Sequence, residues 1–229
     1  MMAGCECVDG RCGAGLACGA DGKCISVPEP VAHWPLDENA ADIAGNGYNG
    51  LANNGVVFDG NAASFDGTDS FIDISAFSDK FKEIAGEFTI YMRVRASTWM
   101  TDPILFGSGD QGETPASTNG FWFMVVSDVA TVDTETDEGV DHPVSLGQAL
   151  PLDTWLDLVF TINWDAADLY VNGEWVEYKP FERIDPAAEH MQIGGWLTPE
   201  SVLDGAIDDV QVYDVLLNEA QIAAIASRR

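Results

Sequence analysis

The stretch Trp155-Leu-Asp-Leu-Val-Phe-Thr-Ile-Asn-Trp-Asp-Ala-Ala-Asp-Leu-Tyr-Val-Asn-Gly173 decides the fold. Trp155–Asn163 is mostly apolar, short and bounded by polar residues, which suits a buried strand better than a helix. Ala167–Val171 runs into Asn172-Gly173, the dipeptide that accepts the positive φ angles of a tight hairpin, and Trp175–Tyr178 is the return strand. A hairpin of this kind is an antiparallel unit, and the rest of the chain reads in the same way.

Outward from this hairpin the texture repeats. Phe88, Ile90, Met92 and Val94 alternate with Thr89, Tyr91, Arg93 and Arg95, the period of a strand with one buried face. Shorter strands are expected at Val31–Leu36, Ala63–Phe65, Ser70–Ile74, Ile104–Gly107 and Gly120–Val126. The Asp66-Gly67-Thr68-Asp69 turn separates the second from the third. A long Asn/Gly/Asp loop runs through Gly55. The last strand, Ala206–Tyr213, is expected to place Ile207, Asp209, Gln211 and Tyr213 on one side and Asp208, Val210 and Val212 on the other. One helix is credible, at the C-terminus, where Asn218 caps, Gln221 stands at the capping-box position and Ile222 with Ile225 supply the stripe.

The first 27 residues differ in kind. Cys5, Cys7, Cys12, Cys18 and Cys24 are all the cysteines of the chain, set among Gly, Ala and Asp with almost no bulky apolar residue. Such a segment cannot hold itself together by burial, and disulfides are the usual substitute in an oxidising compartment. A zinc knuckle competes with this reading, but there is no CxxC pair and no histidine in the segment. Five is odd: Met2-Ala3-Gly4-Cys5 is similar to the end of a bacterial lipoprotein signal, which would lipidate Cys5 and leave Cys7, Cys12, Cys18 and Cys24 for two bridges. The alternative is a cut through a longer cysteine-rich array. No signal peptide precedes the cysteines, as expected where one has been removed. Residues 1–27 thus read as a stapled segment and 28–229 as the sandwich, joined through Ile25–Pro30, whose two prolines make it extended.

The charge balance is 38 acidic against 10 basic residues, a net −28. That surface repels phosphate backbones and acidic lipid, so nucleic acid is excluded as a partner, and it attracts divalent cations. No apolar run is long enough to cross a bilayer, which takes about 18 residues.

Four stretches together resemble a known family. They are Ala32-His33-Trp34-Pro35-Leu36-Asp37-Glu38 with Asp42 to Gly50; Ser64 to Ile74; Trp155 to Phe160 with Leu169 to Gly173; and Gln192-Ile193-Gly194-Gly195-Trp196 with Leu203 to Tyr213. In this order they resemble the laminin-G-like, concanavalin A-like jelly-roll modules of bacterial secreted proteins. The resemblance implies an all-β antiparallel sandwich with a short C-terminal helix, on a secreted or cell-surface protein of the bacterial envelope. It implies binding of a glycan or an extracellular protein, while some relatives in the wider class are glycosidases.

Three candidate chemistries follow. The resemblance implies a structural Ca²⁺ near the first and last strands, with Asp42 and Asp208 as ligands and Asn46 and Asp37 beside them; such an ion takes six to eight hard oxygens. Turn formation by Asp42 with its own backbone is the competing account. A glycan surface needs exposed aromatic faces, for which Trp99, Trp122, Trp164, Trp175 and Trp196, all in or near expected loops or strand ends, are candidates. Trp34 and Trp155, among apolar neighbours, read as core anchors. Finally, Asp133, Glu135 and Asp137 alternate, so a strand would project all three from one face, as paired glycosidase carboxylates require. Their Asp-Glu-Asp order departs from the Glu-framed motif of laminarinase-type enzymes, and an acidic, solvated segment explains them as well. The histidines His33, His142 and His190 are never spaced as paired ligands.

Overall fold

A computed structural model describes residues 16–18, 22–99, 102–109, 120–135, 143–164, 166–180, 189–196 and 201–228. The described strands are β1 (Leu16–Cys18), β2 (Cys24–Ser26), β3 (Ala32–Trp34), β4 (Leu51–Asn53), β5 (Val57–Phe58), β6 (Ala63–Asp66), β7 (Phe71–Asp73), β8 (Glu87–Thr98) and β9 (Ile104–Gly109). They continue with β10 (Gly120–Val126), β11 (Val129–Glu135), β12 (Val144–Ala149), β13 (Leu156–Asn163), β14 (Ala166–Val171), β15 (Glu174–Pro180), β16 (His190–Ile193) and β17 (Asp204–Tyr213). Two helices, α1 (Ser78–Ile84) and α2 (Glu219–Ala226), complete the description.

Strands β1 and β2 pair with each other as a separate two-stranded sheet, and β3 to β17 form two antiparallel sheets stacked as a sandwich. One has seven strands in the order β12-β11-β10-β9-β16-β7-β4. The other runs β15-β14-β13-β8-β17-β6-β5, with β3 pairing the far end of β17. The expected hairpin is present: β14 and β15 pair from Val171↔Glu174 to Ala166↔Pro180, and Asn172 and Gly173 turn the chain between them with φ of 53° and 80°.

The inner faces meet in one core. Phe88, Ile90, Met92 and Val94 of β8 point inward, as the alternation requires, and oppose Phe121 and Phe123 of β10. Phe123 stacks on Phe160 of β13 across the sheets, with centroids 3.9 Å apart. Truncating either ring to alanine costs about 3–5 kcal/mol.

Two features depart from the sequence reading. Helix α1 is an additional helix, closing one end of the core through Phe81 and Ile84, with Phe77 buried just before it. Residues 77, 81 and 84 are one helical stripe, but a seven-residue helix makes too short a window for its period to stand out. The second departure is in β17, where the register with β8 shifts between Asp208 and Gln211 and Asp209 takes φ +54°. This bulge puts Ile207, Val210 and Val212 in the core, and Asp208, Gln211 and Tyr213 on the outer face, correcting the expected alternation.

The outer face of the eight-stranded sheet is covered in part. Tyr91, Val159, Tyr170 and Tyr213 form a second apolar cluster beneath Ile222 and Ile225 of α2 and Val27. Asn218 caps α2 with a reciprocal box: its side chain accepts from Gln221 N and its N–H donates to Gln221 Oε1, both at 3.0 Å. Gln221 also ties the helix to Ser26 O at 2.9 Å. Cys24 is disulfide-bonded. Cys5, Cys7 and Cys12 lie outside the described residues, and Cys18 is described in its backbone alone.

Candidate functional site

The outer face of the seven-stranded sheet carries an unusual arrangement. Along β10 the inward residues are Phe121, Phe123 and Val125, so Trp122 points outward. Its register neighbours are Asp133 on β11 and Gly107 on β9, and Gly107 is in turn opposite Gln192 of β16. A single row across four strands therefore reads Asp133, Trp122, Gly107, Gln192, and Asp73 of β7 extends it.

Glycines make room for the indole. A Cβ on Gly120 would overlap the six-membered ring of Trp122, and one on Gly107 would stand 2.7 Å from its Cδ1. At Gly109 a Cβ would meet Trp122 at 3.2 Å and Trp196 at 3.3 Å. Trp122 thus lies on a floor of three glycines, with Trp196 edge-on at 6.0 Å and 89°. Only glycine permits so close an approach of ring to backbone.

Two polar atoms of this row, on Trp122 and Gln192, are buried without partners among the described residues. Trp122 is 8% exposed and Gln192 2%, and among the described residues neither Trp122 Nε1 nor Gln192 Oε1 has a hydrogen-bond partner. One is a donor, the other an acceptor, and they flank the same glycine. Buried polar groups are normally satisfied, and leaving each unmade costs about 1–3 kcal/mol. A hydroxyl group both accepts and donates, which is the complement this pair calls for.

The other candidate tryptophans separate. Trp99 is 2% exposed and donates its indole N–H to Leu150 O at 3.1 Å, so it is a core anchor and not a ligand contact. Trp164 is 53% exposed at the β13–β14 tip, where its backbone N–H bonds Gly86 O, far in sequence and strand register from the Trp122 row. Trp34 is fully buried, as expected, with its N–H on Tyr48 O. Trp155 is not in the core: it is half-buried on the outer side of β8, with the Arg93 and Arg95 guanidiniums 4.9 and 5.0 Å from its ring centroid.

The four expected calcium ligands do not converge. Asp42 Oδ1 accepts from the N–H of His33 (3.0 Å) and Ala44 (2.9 Å), and Oδ2 from Tyr48 (3.1 Å). Its carboxylate is the hub of a loop. Asn46 donates to Val31 O at 3.0 Å. Asp37 and Asp208 do line one pocket of about 350 Å³, with Asn61, Trp155 and Arg93, whose Nη1 is 3.5 Å from Asp208 Oδ2. A guanidinium in that position takes the charge that a cation would. Among the described residues no group of three or more His, Cys, Asp or Glu side chains is arranged to hold a metal.

Of the alternating carboxylates, Asp133 stands on β11 opposite Trp122. Glu135 ends β11 and is described in its backbone alone, and Asp137 lies outside the described residues. Gln192 and the three glycines are not among the site residues that the sequence suggests. Two Gly-X pairs, at Gly107-Ser-Gly109 and Gly120-Phe-Trp122, were the available signal.

Solved structures share this architecture. Domain 4 of an extracellular arabinanase from Geobacillus stearothermophilus, in complex with arabinotriose, superposes with TM-score 0.66 at 18% identity, covering 87% of this chain and 98% of that one. The binding domain of botulinum neurotoxin DC, in complex with rat synaptotagmin II, matches with TM-score 0.66 at 11% identity over 86% of this chain. Trypanosoma rangeli sialidase matches with TM-score 0.69 at 15% identity over 98% of it. The chain spans 51% of the neurotoxin chain and 36% of the sialidase. No curated protein sequence matches. A family profile described as the concanavalin A-like lectin/glucanases superfamily matches residues 66–223, more than half of the sequence. The chain therefore belongs to the concanavalin A-like lectin/glucanases superfamily.

Proposed function

We propose that this chain is an extracellular carbohydrate-binding module whose ligand lies on the outer face of the seven-stranded sheet. The observation that carries the reading is the buried pair of Trp122 Nε1 and Gln192 Oε1 across Gly107, neither of which has a partner among the described residues. Sugar hydroxyls satisfy a donor and an acceptor together, and indole faces cover the apolar face of a pyranose or furanose. Trp196 supplies the second ring. Domain 4 of the arabinanase, a structural neighbour of nearly the same extent, was solved with arabinotriose, which makes that trisaccharide the first probe.

Calorimetric titration with arabinotriose and a panel of neutral oligosaccharides tests the reading. Gln192→Ala is expected to weaken binding about tenfold, the value of one well-made hydrogen bond in a dry site. Absence of binding to the whole panel would sink it. The neurotoxin binding domain was solved with a protein, synaptotagmin II, so pull-down of an extracellular protein partner is then the next experiment. Asp133 beside Trp122 supports a second, hydrolytic reading. Release of reducing sugar from a polysaccharide, abolished by Asp133→Asn or Glu135→Gln with binding retained, would establish it.

The candidate place for a calcium is the pocket of Asp37 and Asp208, and the Arg93 guanidinium facing Asp208 there argues against its being filled. An oxidising compartment accords with the disulfide at Cys24, and no described helix is long and apolar enough to cross a membrane. Secretion, with or without a lipid on Cys5, is part of the proposal.

A further inference from the structure

Strand β15 is the edge of the eight-stranded sheet, and its register with β14 slips once. Trp175 is opposite Tyr170, Glu177 opposite Leu169 and Tyr178 opposite Asp168, with the shift between Leu169 and Tyr170. Leu169 points into the core, and Val176 packs against it. Val176 and Glu177 therefore share one inward position, which is a β-bulge. Without it, residues three apart would fall on opposite faces of the sheet. With it, Trp175 and Tyr178 both face outward, on the side of the sandwich away from Trp122.

Both rings are exposed, and the indole is held. Trp175 is 53% exposed and Tyr178 51%, and Asp168 between them accepts the indole N–H at 2.8 Å. The pinned indole loses little freedom on binding. The surroundings are acidic: Glu174 and Glu219 are exposed nearby, and Asp168 and Glu219 both add to burial in raising the Tyr170 hydroxyl pKa. Anionic chains and acidic lipid are repelled from such a surface. The same carboxylates would draw a basic peptide, so binding of a lysine-rich peptide without retention by a neutral polymer would overturn a carbohydrate reading of this face. What remains on offer is two aromatic faces, about 7 Å apart along the strand.

We propose that Trp175 and Tyr178 form a second carbohydrate contact surface, for a neutral, extended polysaccharide chain, on the opposite side of the module from Trp122. The inference stands apart from the Trp122 site, and each can fail alone. Two contacts on one polymer raise retention by avidity without raising affinity for a short sugar.

The experiment is affinity electrophoresis in gels containing debranched arabinan, xyloglucan or polygalacturonate, beside calorimetry with arabinotriose. The double variant Trp175→Ala/Tyr178→Ala is expected to weaken retention by one or both neutral polymers about tenfold while leaving trisaccharide affinity unchanged. Gln192→Ala lowers trisaccharide affinity and leaves part of the polymer retention. Trp175→Phe, which keeps a ring and loses the Asp168 bond, retains most of the retardation, and its melting temperature controls for folding. Wild-type retention by neither neutral polymer, retention by polygalacturonate alone, or a double variant that runs like wild type would overturn the proposal.

Discussion

A buried acceptor with no partner among the described residues is a cost to the fold, and Gln192 Oε1 makes that cost measurable. Replacing it by the near-isostere methionine removes the unsatisfied carboxamide. Gln192→Met is expected to raise unfolding free energy by about 1 kcal/mol, read by urea denaturation, while weakening glycan binding. A loss of stability would mean that the amide is satisfied in solution by the protein itself. Asp66 shows the opposite economy. Burial pushes its pKa up, but the N–H of Thr68, the Ser70 hydroxyl and the N–H groups of Asp69 and Ser70 outweigh this and hold it below the usual 3.8. A carboxyl depressed on folding stabilises at pH values above its unfolded pKa, and the contribution disappears as pH falls through the folded value. Asp66→Asn is therefore expected to destabilise at pH 7, with the gap to wild type closing below about pH 4. The Asp66-Gly67-Thr68-Asp69 turn was legible because its bonds span four residues. The Trp122–Gly107–Gln192 row was not: Gly107 and Gln192 are brought together by β9–β16 pairing across more than eighty residues, and no local pattern encodes that register.

Elements were legible where local chemistry alone decides them. The Asn172-Gly173 hairpin and the Asn218–Gln221 capping box stand as the sequence indicated, since both depend on neighbours in the chain. The α2 cap yields a direct test. Asn218→Ala removes a side-chain acceptor from a helix of eight residues and is expected to cost about 1 kcal/mol in denaturant unfolding. The Tyr91–Tyr170–Tyr213 cluster would be exposed first as α2 frays, so hydrogen exchange should rise in α2 before the central strands. The bulges escaped the reading for a different reason. Strict alternation assumes that every residue of a strand takes a ladder position, and Asp209 and Val176 do not. The apolar spacing of Ile207, Val210 and Val212 did contain the slip: a gap of three among gaps of two places a bulge between the first pair.

At the scale of the molecule, charge dominates. Thirty-eight acidic and ten basic residues leave a net −28 on 229 residues, and the few ion pairs cannot neutralise it: Lys80, Lys82 and Lys179 hold carboxylates on an exposed surface. Such pairs are worth about 0–1 kcal/mol each. The remaining repulsion opposes the compact state and is long-ranged, so it yields to screening, whose length falls from about 30 Å at 0.01 M salt to about 8 Å at 0.15 M. The melting temperature is accordingly expected to rise by several degrees between those NaCl concentrations and then level off. Divalent ions screen more strongly, and this gives the calcium question a clean control. Mg²⁺ and Ca²⁺ at equal concentration screen alike, whereas a protein site of six to eight oxygens favours Ca²⁺. Asp42 has its carboxylate spent on three backbone N–H groups, and Arg93 already faces Asp208, so equal shifts with the two ions are the expected result. A larger shift with Ca²⁺, lost in Asp208→Asn, would place a calcium in the Asp37–Asp208 pocket after all, and would require Arg93 to turn away from it.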